Sequence, residues 1–129
     1  MTQEQKDLLL KDLSARLPYG VKFESENAER VYFIDTSDDE IYINGTNIED
    51  VKPYLFPLSS MSEEQKKYIT DRWGINEYFD FEINPDWGEY FVELGDTIDF
   101  INWLNENHFD YRGFIYKGLA IDATNLNIY

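Results

Sequence analysis

From Trp73 to Tyr111 the chain has no lysine and no arginine, yet it carries ten acids: Glu77, Asp80, Glu82, Asp86, Glu89, Glu93, Asp96, Asp99, Glu106 and Asp110. Half of the aromatic residues are threaded through the same stretch, among them Trp73, Phe79, Phe81, Trp87, Phe91, Phe100 and Trp103. Carboxylates in such number repel one another and cannot be buried, so charge alone points to disorder. The rings reverse that expectation, because each brings a large apolar area that folding removes from water. The segment can order only with its rings inward and its carboxylates outward. It is therefore expected to form a folded element with a strongly negative outer face.

The surrounding composition is that of a globular chain. Its 129 residues fit one domain spanning the whole sequence, and a hydrophobic content of 43% is ample for a core. A folded protein of 15.4 kDa exposes on the order of 7,000 Å². A net charge of −15 on that area repels nucleic acid phosphates and anionic membranes, and it favours a basic protein surface as partner. With no cysteine, disulfides, thiolate zinc sites and cysteine nucleophiles are excluded. The start, Met-Thr-Gln-Glu-Gln-Lys, lacks the basic-then-apolar order of a signal peptide, and no apolar run approaches the roughly 20 residues that span a bilayer. A cytoplasmic protein is the expectation. Asn44-Gly45-Thr46 matches a glycosylation sequon but reads here as a turn.

Periodicity predicts an α+β fold, a small antiparallel sheet packed with three helices. Leu8, Leu9, Leu10, Leu13 and Leu17 mark a first helix, opened by a Thr2–Gln5 capping box and closed by Pro18-Tyr19-Gly20. Strands are expected at residues 21–25, 30–35 and 40–44, as an N-terminal meander turning at residues 26–29 and 36–39. Residues 44–60 read as an irregular loop pinned to the core by Tyr54, Leu55 and Phe56 between Pro53 and Pro57. Ser62 and Gln65 cap a second helix that stops at Gly74. Alternating Phe79, Phe81 and Ile83 predict a second hairpin reaching Leu94. A third helix starts at Asp96 or Thr97 on an Ile98, Ile101, Leu104 stripe widened by Phe100 and Trp103, and His108 to Gly113 close it. The remainder reads as a turn of helix and an extended piece packed on the domain.

Four phrases together carry a resemblance. They are Leu8-Leu9-Leu10-Lys11-Asp12-Leu13 continuing to Arg16-Leu17-Pro18-Tyr19-Gly20-Val21, the run from Ile48 through Pro53-Tyr54-Leu55-Phe56-Pro57 to Met61, Trp103-Leu104-Asn105 through Asn107-His108-Phe109-Asp110-Tyr111-Arg112-Gly113, and Gly118-Leu119-Ala120-Ile121-Asp122-Ala123-Thr124 with the final Asn127-Ile128-Tyr129. In these the chain resembles a family of small uncharacterised proteins encoded in gut bacterial genomes and in their phages and prophages. The resemblance implies no activity, ligand or catalytic residue. It implies a mobile-element setting, in which small acidic proteins often act by binding host proteins.

Each candidate site has a plainer reading beside it. Glu77, Asp80, Glu82, Asp86, Glu89 and Glu93 form the acidic face, which either imitates a phosphate backbone for a protein partner or simply solvates an aromatic core. Asp35, Asp38, Asp39 and Glu40 contain enough oxygen for calcium or magnesium, but lack the spacing and glycine of an EF-hand loop, and turns attract Asp anyway. His108, the sole histidine, has Glu106 and Asp110 near it as a general base would, yet no nucleophile is placed beside it and a helix C-terminus suits a histidine. Arg112 reads as an internal lock rather than a ligand grip. Pairs such as Asp80 with Glu82, or Glu89 with Glu93, have the residue types of a glycosidase, but so many acids produce pairs by chance.

The expected function is therefore that of a non-enzymatic acidic accessory protein that binds a basic protein surface, with no cofactor and no metal. Its sharp form is a phage-type inhibitor that mimics nucleic acid and targets a nucleic-acid-binding host protein. The alternatives are a small carboxylate-based enzyme or sugar-binding module, and a structural or assembly component.

Overall fold

The computed structural model describes residues 1–74 and 94–129. Helix α1 (Gln3–Arg16) begins with both halves of the capping box, Thr2 Oγ1 accepting from Gln5 N–H and Gln5 Oε1 accepting from Thr2 N–H. A 3-10 turn at Leu17–Tyr19 follows, and Gly20 ends it in the left-handed region at φ 75°. Leu9, Asp12, Leu13 and Arg16 form the buried face of α1, so half of that stripe is ionic.

The first sheet is an antiparallel meander of β1 (Ile34–Ser37), β2 (Glu40–Ile43) and β3 (Thr46–Asn47), in the order β1-β2-β3. Both connections are two-residue loops with positive φ at each central position: 52° and 63° at Asp38 and Asp39, 51° and 84° at Asn44 and Gly45. This is type I′ geometry, whose twist matches that of the flanking strands. The meander is displaced from its expected place. Residues 21–25 make only the isolated bridges Lys22↔Arg30 and Phe23↔Pro53, and β1 runs through Thr36 and Ser37, which the sequence assigned to a turn. Asn44 explains the displacement. Its Oδ1 accepts from the N–H of both Tyr32 and Phe33, while its Nδ2 donates to Arg30 O and Glu29 Oε1. Two successive amides aimed at one oxygen break the strand alternation, so Val31 is buried while Tyr32 and Phe33 both face water.

A second, parallel sheet has the order β5-β4-β6, formed by β4 (Tyr54–Pro57), β5 (Phe109–Asp110) and β6 (Ile121–Asp122). The stretch read as an irregular loop between Pro53 and Pro57 is thus the central strand. Proline is tolerated there because it falls at the strand ends. Ile121 N–H donates to Pro53 O and Ala123 N–H to Leu55 O on one side, and Phe56 N–H donates to His108 O on the other. Successive residues of β4 serve different cores. Leu55 is buried with Leu9, Leu13, Phe23, Ile43 and Phe114, whereas Phe56 packs on the cluster of Leu58, Ile69, Phe100, Leu104 and Phe109.

Helix α2 (Glu63–Trp73) carries the Ser62–Gln65 capping box and stops at Gly74, φ 73°, whose N–H donates to Thr70 O. Helix α3 (Leu94–Glu106) begins two residues before the expected start. Phe100 and Leu104 lie on its buried side, but Ile98, expected in the stripe, is 51% exposed. His108 at φ 61° reverses the chain into β5. The expected second hairpin lies outside the described residues. No helix among the described residues is long and apolar enough to cross a membrane.

Candidate functional site

Among the described residues, the β1–β2 hairpin carries exposed rings and exposed acids side by side. Tyr32 is 67% exposed and Phe33 53%. Asp35, Asp38 and Asp39 are exposed beside them. Pairing across the ladder places Asp35 opposite Tyr42 and Ser37 opposite Glu40, on the face away from Ile41 and Ile43. Glu40 Oε2 accepts from Asn47 Nδ2 at 3.1 Å, so Glu40 adds a fourth, partly held carboxylate to the three exposed aspartates of this end. Asp35, Asp38, Asp39 and Glu40, whose carboxylates could supply oxygen to a cation, are strung along a strand and a turn. Among the described residues no three metal-ligating side chains gather.

The interior holds a second polar group. Asp12 and Arg16 lie one helical turn apart and are both fully buried, with Arg16 Nε donating to Asp12 Oδ2 at 2.8 Å. Arg112 Nε reaches the other oxygen, Oδ1, at 3.1 Å. Arg16 also donates to Phe109 O, and both guanidinium groups lie over the Tyr111 ring, at 5.2 and 5.1 Å from its centre. Tyr111 OH donates to Asn105 Oδ1. Arg112 is thus an internal lock, but its carboxylate comes from α1 and not from the acidic segment beside it. Asp110 points the other way and accepts from the N–H groups of Phe114 and Ile115. Burial pushes its carboxyl above the usual range, against those two donors. The cluster joins α1 to the chain after α3 and presents no reacting group to solvent.

His108 stacks on Tyr129 with ring centres 3.7 Å apart and planes 10° from parallel. Burial pushes the imidazole down to about 4, and the cations of Arg16 and Lys22 add to the effect. It is neutral at physiological pH, and its Nδ1 is buried without a hydrogen-bond partner. Burial also pushes the Tyr129 hydroxyl up to about 12; that hydroxyl accepts from Lys22 N–H and donates to Tyr54 O, each at 2.8 Å. A shallow cleft of about 370 Å³ opens beside the pair, lined in part by Phe56, Ser60, Glu106 and Asn107. Ser60 Oγ, the hydroxyl nearest in kind to a nucleophile, donates to Pro57 O instead. The pair fastens the last residues over β4, and a base this weak has little capacity to take a proton at neutral pH.

Glu77, Asp80, Glu82, Asp86, Glu89 and Glu93, the acidic face expected from sequence, lie outside the described residues, as do the carboxylate pairs weighed for glycosidase chemistry. Three features escaped sequence reasoning. Asp12 and Arg16 had a signal, the i,i+4 spacing of an ion pair on the apolar side of α1. Tyr129 had none. The joint exposure of Tyr32 and Phe33 contradicts strand alternation, and only the contacts of Asn44 account for it. The fold and these surfaces define a small, strongly acidic α+β protein. Comparison with protein-family models, with curated proteins and with solved structures finds no match.

Proposed function

We propose that this is a non-enzymatic accessory protein that acts by binding a basic surface of a protein partner. The observation that carries the reading is the way charge is distributed. Lys6, Arg16, Lys66, Lys67, Arg72 and Arg112 hold acids within the chain, at Glu49, Asp12, Glu63, Asp71 and Asp99. More than half of the 11 cations are engaged in this way, while Asp35, Asp38 and Asp39 are exposed and take part in none of the ion pairs among the described residues. The six acids from Glu77 to Glu93 add to the surplus with no cation in their own stretch of sequence. Such a surplus attracts a basic surface at long range and repels nucleic acid and anionic lipid.

The sharper form of the proposal is a phage-type mimic of nucleic acid that occupies the binding groove of a host protein. The test is capture of partners from bacterial lysate on the immobilised protein, followed by elution with duplex DNA. The mimic predicts that captured proteins bind nucleic acid, that DNA releases them, and that E82K/E89K/E93K captures few. Partners retained in excess DNA and in about 1 M salt would contradict it.

A further inference from the structure

We propose that the outer edge of β1 is a docking site for an extended, cationic segment of a protein partner, which joins the first sheet as a fourth strand. This rests on the reading that the chain binds a basic protein, and it gives that partner a place and a conformation.

The backbone supplies the first half of the argument. The Asp38-Asp39 loop sets Ser37 opposite Glu40, and in a two-residue hairpin that flanking pair is hydrogen-bonded in both directions. Alternation then turns the N–H and C=O of Thr36 and Ile34 away from β2. Among the described residues β1 is the terminal strand of its sheet, and no hydrogen bond of theirs reaches those outward groups. The approach to the edge is held in place as well, because Asn44 ties the amides of Tyr32 and Phe33 and the carbonyl of Arg30. An incoming strand would meet a template that is already ordered.

Side chains select the occupant. Tyr32 and Phe33 offer two exposed rings at the head of the strand, and Asp35, Asp38 and Asp39 offer three unpaired carboxylates along it and at its tip. A second copy of this chain would set those carboxylates against their own copies, with −15 on each molecule. Charge at an open edge guards against self-pairing. The same charge favours an extended segment with lysine or arginine at alternate positions, whose cations meet Asp35 and the tip while its backbone bonds to Thr36 and Ile34.

The probe is a capped peptide of alternating lysine and threonine, titrated onto the full chain and followed by amide NMR and hydrogen exchange. The expected result is binding that slows exchange of the Ile34 and Thr36 amides. N-methylation of the peptide along one edge, which keeps its charge and removes its outward donors, should weaken binding by about tenfold or more. D35N/D38N/D39N, whose asparagines tolerate the turn conformation, should weaken it to a similar degree. Salt-sensitive binding that ignores both N-methylation and D35N/D38N/D39N would overturn the edge site and leave the basic-partner reading standing. Failure of the peptide to bind, with polylysine also failing, would overturn both. A dimer in sedimentation that Thr36→Pro dissolves would replace the cationic occupant with a second copy.

Discussion

At the scale of single residues, the buried charges and one asparagine matter most. Asp12 forms ion pairs with two guanidinium groups, one of them with no exposure to solvent. Removing one partner of a buried pair leaves an uncompensated charge, so Asp12→Ala is expected to cost about 3–5 kcal/mol in urea unfolding. A loss below about 1 kcal/mol would show that water or another anion replaces it. The Asn44 side chain makes four hydrogen bonds from a left-handed backbone. Asn44→Gly keeps the conformation and deletes the bonds, so destabilisation of about 1–3 kcal/mol would assign the role to the amide and not to φ. His108 gives a pH signature. Its folded form titrates at about 4, below the ordinary 6.5, so between these values the unfolded chain binds more protons. Its contribution is full above about pH 6.5 and is lost as pH falls toward 4. The melting temperature should drop over that range, and less so in His108→Gln, which carries no titrating group. Sequence reading reached the lock function of Arg112 and the structural role of His108. It missed their partners, Asp12 and Tyr129, because each lies about a hundred or about twenty residues away in sequence, and only the tertiary fold unites them.

Among the elements, the helices were the legible part. Capping boxes and glycine stops are local chemistry, and both boxes and the stop at Gly74 stand where Thr2, Ser62 and Gly74 announce them. Asn44-Gly45 was legible as a turn for the same reason. The Asp38-Asp39 turn was expected two residues too wide, taking in Thr36 and Ser37, since aspartate at positive φ is less common than asparagine or glycine. The parallel sheet was not legible. β5 and β6 are two residues each, too short to show a period, and Pro53 and Pro57 disguise the strand between them. Trp103 tests the reading of α3. It is half-buried and stacks on Tyr68, Phe100 and Phe109. Trp103→Ala should therefore cost about 3 kcal/mol, at the low end for a tryptophan, with helical circular dichroism retained at low temperature. An unchanged melting temperature would place the ring outside the packing that α3 shares with α2.

For the whole molecule, charge decides the account. Two small cores, joined through β4, give the described fold its cohesion, while the acids oppose it by self-repulsion. An acidic surplus of this size was plain in the sequence. How it is displayed was legible only in general terms, because periodicity sorts rings from carboxylates but does not say which surface a partner would meet. The central claim is that the surplus serves recognition of a basic protein. The affinity for a captured partner, or for the alternating lysine peptide, measured from about 50 to about 500 mM salt, tests it most directly. Dissociation constants that rise by about a hundredfold or more across that range, mainly through slower association, are the predicted result. An affinity that stays flat would contradict it and leave the carboxylates as a device for solubility.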